Sequence, residues 1–294
     1  MSKLTPRTSA WQQSGALTTI DGHRIFVREQ PASGQGRPLL FLHGYPSSSY
    51  DWRHAFQLLG GHRLIVFDFL GYGLSDKPRD QVYSLQIQAD IAEALAARFD
   101  EQPVTLISHD MGSSVATEIL ARDLEGRLSF HLGSALVFNG SLVRERASLL
   151  RVQKLLLSRL GPLATRLTNE FAFRRQFASI FSADHPVSAE ETADQWSLLT
   201  HNHGQHLLHR LIYYNAERVT LPGARWHAAL RDWPGSLEFA WAESDPICTE
   251  AVLQALLELR PHAELTRLHR LGHYPQIEDP DAVYRIIQRH STQV

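Results

Sequence analysis

The sequence predicts an α/β protein: a mostly parallel sheet flanked by helices, with a helical cap inserted into it. Three observations carry that expectation. Up to residue 140, short apolar runs rich in β-branched residues alternate with stretches of helical spacing, the pattern of a sheet covered on both faces. From about 141 to 222 the spacing is helical only, which is too long for a plain connection and carries its own apolar faces. The sheet pattern then resumes at Leu237–Trp241. The core is therefore expected at 1–140 and 223–294, and the cap at 141–222.

The elements follow in order. Ala16–Ile20 and Arg24–Gln30 flank Asp21-Gly22, a hairpin signal. Leu39–Leu42 is a buried strand running into His43-Gly44-Tyr45-Pro46. The apolar spacing of Trp52, Phe56 and Leu59 predicts a helix over Tyr50–Leu59. Leu64–Phe67 is a strand ending at Asp68, followed by the turn-rich Gly71–Pro78. Ser84 caps a helix reaching Phe99. Val104–His109 is a strand, a helix runs from about Gly112 to Arg122, and Leu132–Phe138 is a strand ending at Asn139-Gly140. Cap helices are expected at Arg151–Leu160, Asn169–Phe181, Ala189–Leu199 and Gln205–Glu217. After Leu237–Trp241 come a helix at Thr249–Leu259, a strand at Glu264–Leu268 and a helix at Asp281–His290. In parallel sheets ligands bind beyond the strands' C-terminal ends, so the loops at His43, Asp68, Asp110 and Asn139 should share one rim.

Composition narrows the class. The 294 residues are 43% hydrophobic and 20% charged, enough for one large domain with a sizeable core. A net charge of -2 gives no sign of nucleic acid or an anionic membrane as partner. The single cysteine, Cys248, excludes an internal disulfide. The first fifteen residues lack an apolar signal core. No apolar run reaches the ~18 residues of a membrane span, and the cytoplasm is the expected location.

The chemistry centres on Ser108-His109-Asp110-Met111-Gly112. Strand, sharp turn and helix form a nucleophile elbow, with small residues two before and two after the exposed central side chain. Here that side chain is Asp110, not serine. Asp245 follows a late strand and His273 follows the last one, giving the order nucleophile, acid, base. A carboxylate can displace an oxygen or halogen from carbon and form an ester on itself. His273, held in one tautomer by Asp245, can then activate water against that ester. The backbone N–H groups of Tyr45 and Met111 are the expected oxyanion donors.

These motifs, with Gly71-Tyr72-Gly73-Leu74-Ser75-Asp76-Lys77-Pro78 and Gly272-His273-Tyr274-Pro275-Gln276, resemble the epoxide hydrolase and haloalkane dehalogenase branch of the α/β-hydrolase superfamily. A narrower resemblance is to mesoderm-specific-transcript-like hydrolases, which share the Ser-His-Asp elbow, the His-Tyr-Pro-Gln loop and a cap stretch like Gln153–Leu157 followed by Leu160-Gly161-Pro162. The resemblance implies the α/β-hydrolase fold, no cofactor or metal, and water as co-substrate. It places Tyr213, in Tyr213-Tyr214-Asn215, as a cap tyrosine that donates a proton to an epoxide oxygen. Two departures stand out. Met111 occupies the position where dehalogenases carry a halide-gripping Trp, and a second cap tyrosine is missing.

The leading expectation is opening of an epoxide on a small apolar substrate. The alternatives are haloalkane dehalogenation, opening of another ring such as a β-lactone, and a hydrolase fold that binds a small molecule without turnover. Ser108 lies two residues early and reads as the small residue of the turn. Glu243 is a rival acid, but Asp245 has the family's Asp-Pro context. His201, His203, His206 and His209 lack acidic or Cys companions at zinc spacing. Phe171, Phe177 and Leu208 are candidates to line an apolar pocket. The apolar cap faces could equally support a homodimer.

Overall fold

The computed structural model describes residues 3–99, 102–143, 146, 149–220 and 223–293. Its centre is an eight-stranded sheet: β1 (Ala16–Ile20), β2 (His23–Gln30), β3 (Gly36–Leu42), β4 (His62–Phe67), β5 (Val104–His109), β6 (Leu132–Phe138), β7 (Ser236–Ala242) and β8 (Glu264–Leu268). The spatial order is β1-β2-β4-β3-β5-β6-β7-β8. β2 pairs antiparallel with both β1 and β4, and every other pair is parallel. The ends of β3, β4, β5 and β6 therefore lie on one rim, as the alternating pattern predicts. β5 is buried along its whole length, because helices cover both faces.

Most predicted elements form where expected, and Ser84 caps its helix by accepting from the Ile87 N–H. Two helices differ. The stretch expected as Tyr50–Leu59 is a 3₁₀ turn, Ser49–Trp52, and a single α turn, Ala55–Leu58. Asp68 accepts from the Ser49 N–H and hydroxyl at 2.7 and 2.6 Å, which ties this segment to the rim and outweighs its helical spacing. The stretch expected as Gln205–Glu217 breaks into a 3₁₀ segment His201–Leu207 and α-helices Leu208–Leu211 and Tyr214–Thr220. Asn202 and His203 sit at φ 51° and 62°, left-handed values that start the chain off the α path. Helices at Pro6–Gln13, Gly161–Arg166 and Gly223–Asp232 are additional to those predicted.

The helices between β6 and β7 form the inserted cap region over the rim. Gly223–Asp232 packs back on the helix after the elbow, Met111–Leu124: Arg225 and the Trp226 indole N–H both bind Glu118. Residues 221–222, where the sequence draws the end of the cap, lie outside the described residues. Among the described residues, no helix is long and apolar enough to cross a membrane.

Candidate active site

Asp110 stands between β5 and the following helix at φ 48°, ψ −114°. A non-glycine residue with positive φ is strained, and the strain is held by packing. A Cβ on Gly112 would fall 2.5 Å from the Leu42 carbonyl oxygen, so the helix can approach β3 only with glycine there. One on Gly44 would come within 2.9 Å of the Asp110 Cβ. Asp110 is 4% exposed. Its Oδ2 accepts from the Tyr45 N–H at 2.8 Å, and its Oδ1 lies 4.0 Å from His273 Nε2. Met111 opens the helix, so its N–H has no acceptor within the helix.

His273 Nδ1 and Asp245 Oδ2 are 2.7 Å apart and both groups are buried. Asp245 also accepts from Asn139 Nδ2 at 2.9 Å and from the Ile247 and Cys248 N–H groups at 2.7 and 3.1 Å. Burial raises the Asp245 pKa, but the His273 charge and these donors outweigh it and hold it below the usual carboxylate range. Burial lowers the basicity of His273, and Asp245, aided by Asp110, reverses this and holds it well above the ordinary histidine value. Asp110, Asp245 and His273 thus come together in one chain of contacts.

The expected cap tyrosine does not join them. Tyr213 is 53% exposed and faces outward beside Asp80 and Val82. Tyr214 is the buried one, at 3%. Its ring is 5.8 Å from that of Tyr45. Burial, with the Asp110 charge adding to it, raises its pKa and keeps the phenol protonated. The reason is the break in the helix: successive residues turn by about 100°, and the new start at Tyr214 resets which one points inward.

Neighbouring groups fix the loops. His43 Nδ1–H donates to the Gly44 carbonyl at 2.8 Å while Nε2 accepts from the Phe69 N–H at 3.0 Å. Burial holds its pKa down to about 3, so this tautomer is neutral. His109 Nε2–H donates to the His273 carbonyl at 2.6 Å, and Gln276 donates to His109 Nδ1 at 3.2 Å. Ser108 donates within the sheet to Leu136, and Glu243 pairs with Arg267 and His269 away from the site. The sequence places Asn139 only as a loop on the rim, with no role in the site. Its φ of 41° aims the amide at Asp245, and a strand-ending Asn-Gly was the available signal.

Asp245, Cys248 and His273 bring ligand atoms within 4.8 Å of one another. Asp245 is already saturated with donors, and burial pushes the Cys248 thiol up to about 11. The set is therefore built to orient an imidazole rather than to offer a thiolate to a metal.

Above the site is an apolar cavity of about 260 Å³. Its floor includes Tyr45 and Ile247, whose amides bind Asp110 and Asp245. Phe177 and Leu208 line it as expected, whereas Phe171 is 76% exposed. His203, His206 and His209 line a separate outer hollow with Lys77, Arg79 and Arg166.

Residues 39–286 match the model of the alpha/beta hydrolase family. The chain belongs to that family. As a family member it is 48% identical over 278 residues to LipZ of Mycobacterium tuberculosis, covering 95% of this chain and 96% of that one. It is 35% identical over 290 residues to the mesoderm-specific transcript homolog protein of Bos taurus, covering 95% and 86%. In fold, this hydrolase is similar to a point variant of haloalkane dehalogenase DatA from Agrobacterium tumefaciens, with TM-score 0.78, 23% identity and coverage of 95% and 96%.

Proposed function

We propose that this protein hydrolyses a bond between saturated carbon and a leaving group through an ester on Asp110, with a halide as the leaving group of first choice. The observation that carries the reading is the Asp110 carboxylate, with one oxygen on the Tyr45 N–H and the other facing His273. Asp110 Oδ1 attacks carbon, the carbon–halogen bond breaks, and the electron pair leaves as halide. His273 takes a proton from water, and the hydroxide adds to the Asp110 carboxyl carbon. The N–H groups of Tyr45 and Met111 stabilise the resulting oxyanion. Collapse releases an alcohol and restores the carboxylate, and His273 returns its proton to solvent.

The choice of halide rests on chemistry. An epoxide leaves as an alkoxide and needs a proton on its oxygen, and the tyrosine assigned to that step, Tyr213, faces outward. A halide leaves as a stable anion. DatA, of the same fold, is named a haloalkane dehalogenase. One observation favours epoxides as a second reading: Tyr214 brings a protonated phenol to the Asp110 side of the cap.

Trapping separates the readings. His273→Gln should stall at the ester, and intact mass after incubation with haloalkanes and epoxides reads what was added. An alkyl adduct means halide has left, whereas the whole epoxide mass means ring opening. Either must vanish in Asp110→Asn, where turnover should fall by about 10⁴-fold or more. A folded His273→Gln protein with no adduct from any member of the panel overturns both.

A pH dependence follows with a definite sign. Water activation needs neutral His273, so single-turnover hydrolysis of the ester should rise with pH and level off. Esterified Asp110 has lost its charge and with it one of the causes that raise the His273 pKa. The midpoint of that rise should therefore lie below the His273 pKa found by NMR in the free protein. A rate that is flat or falls with pH contradicts His273 as the base.

A further inference from the structure

The first three cap helices, Arg151–Leu157, Gly161–Arg166 and Glu170–Ala178, carry an unusual surface. Val152, Leu155, Leu160, Leu163, Leu167 and Phe171 are exposed, Leu167 at 70%. Single exposed apolar residues are ordinary, but six within residues 152–171 mark an interaction surface. This group is continuous with the cavity: Val152, Leu155 and Leu167 are at once exposed and part of its lining. This part of the apolar face opens into the cavity whose floor includes Tyr45, the residue that donates to Asp110.

Charge indicates what covers this face. Residues 151–178 contain six Lys or Arg and one acid, a net charge of +5 within a chain of net charge -2. Glu170 is bound by Arg174. Among the described residues, Arg151, Lys154, Arg159, Arg166 and Arg175 have no carboxylate partner. The same segment therefore carries both apolar side chains for insertion and free cations, Arg166 among them on the neighbouring outer hollow. That combination suits the headgroup layer of an anionic bilayer, where helices lie in the plane of the interface. The whole-chain charge hides it, because the compensating acids lie elsewhere in the chain.

We infer that the face formed by residues 151–178 docks on anionic lipid surfaces and opens the apolar cavity toward them, so that substrate enters from the lipid phase. A second copy of the chain would cover the apolar part but would set five unpaired cations against five more, which is repulsive unless the partner surface is acidic. The docking is independent of the reaction proposed above. Only the class of molecule drawn in, one that partitions into lipid, rests on that reading.

The test is co-sedimentation with unilamellar vesicles of phosphatidylcholine alone and of equal parts phosphatidylcholine and phosphatidylglycerol. The protein should bind the mixed vesicles, bind the neutral ones far less, and come off as salt rises. Leu163→Ser with Leu167→Ser and Phe171→Ser should weaken binding more than tenfold. Arg159→Glu with Arg166→Glu should weaken it by about fivefold or more per reversed charge at low salt. All five side chains are exposed, so thermal unfolding of both variants should match the parent, which separates lost docking from lost folding. No binding to mixed vesicles, or equal binding by parent and variants, overturns the inference. So does a dimer that the apolar variant dissociates while neither protein binds vesicles. Each arm reads the face without reference to turnover, so a failed trapping experiment leaves it intact.

Discussion

Helix Ala189–Thr200 and helices 151–178 belong to the same cap but meet the core through different forces. The first is tied down by buried polar groups. Arg53 binds Glu191 at 2.7 Å. Asp194 accepts from Arg7 and the Tyr50 hydroxyl, both at 2.9 Å, and from Thr5 at 2.5 Å. Gln195 donates at 2.8 Å to Asp51, whose pKa burial pushes up to about 7. Helices 151–178 rest on rings and aliphatic chains: Phe173 stacks on Phe177 at 5.4 Å, and Phe177 meets Tyr274 at 5.1 Å. Directional bonds set one position for a helix, whereas apolar contact is non-directional and holds it without fixing its register. The fixed half carries on into the break that turns Tyr214 toward Asp110. The other half forms the mouth of the cavity.

The strongest way to break this comparison is to remove a partner from the polar half. Glu191→Ala leaves the mostly buried Arg53 guanidinium without its carboxylate, and urea unfolding should show a loss of about 3 kcal/mol. In the other half, Leu167→Ser should stay within about 0.5 kcal/mol, since that side chain is 70% exposed. Losses of equal size would mean that the two halves are anchored alike.

A smaller effect sharpens the same point at the site. Tyr214→Phe removes the phenol that the fixed half turns inward and should lower epoxide turnover by about 10²-fold, the low end for a positioned proton donor, while leaving halide release unchanged. Tyr213→Phe should leave turnover and stability unchanged. The reverse result in steady-state assays would mean that the cap segment at 212–214 sits in the opposite phase.

By itself the sequence determined the sheet, the elbow and the order Asp110, Asp245, His273. These are local signals. A β-branched run reads as a strand from its own residues, and Ser108-His109-Asp110-Met111-Gly112 needs small neighbours because the turn is tight. The insertion was legible too, since a change of period over eighty residues is visible without contacts.

Only the tertiary structure decided the rest. Tyr213 and Tyr214 are indistinguishable as a sequence pair, and which one faces Asp110 depends on where the chain leaves the α path at Asn202 and His203 and starts again at Tyr214. Asn139 is a turn residue until β6 and β7 place it beside Asp245, more than a hundred positions along the chain. Phe171 reads as a pocket residue by type, yet it faces outward because Phe173 and Phe177 take the inner face of its helix. For Asn139 the deciding contact joins residues far apart in the chain, and for the two aromatic cases it is the phase of a whole helix against the core. Periodicity and turn chemistry report a residue's own element. The direction a side chain faces is set by what that element packs against.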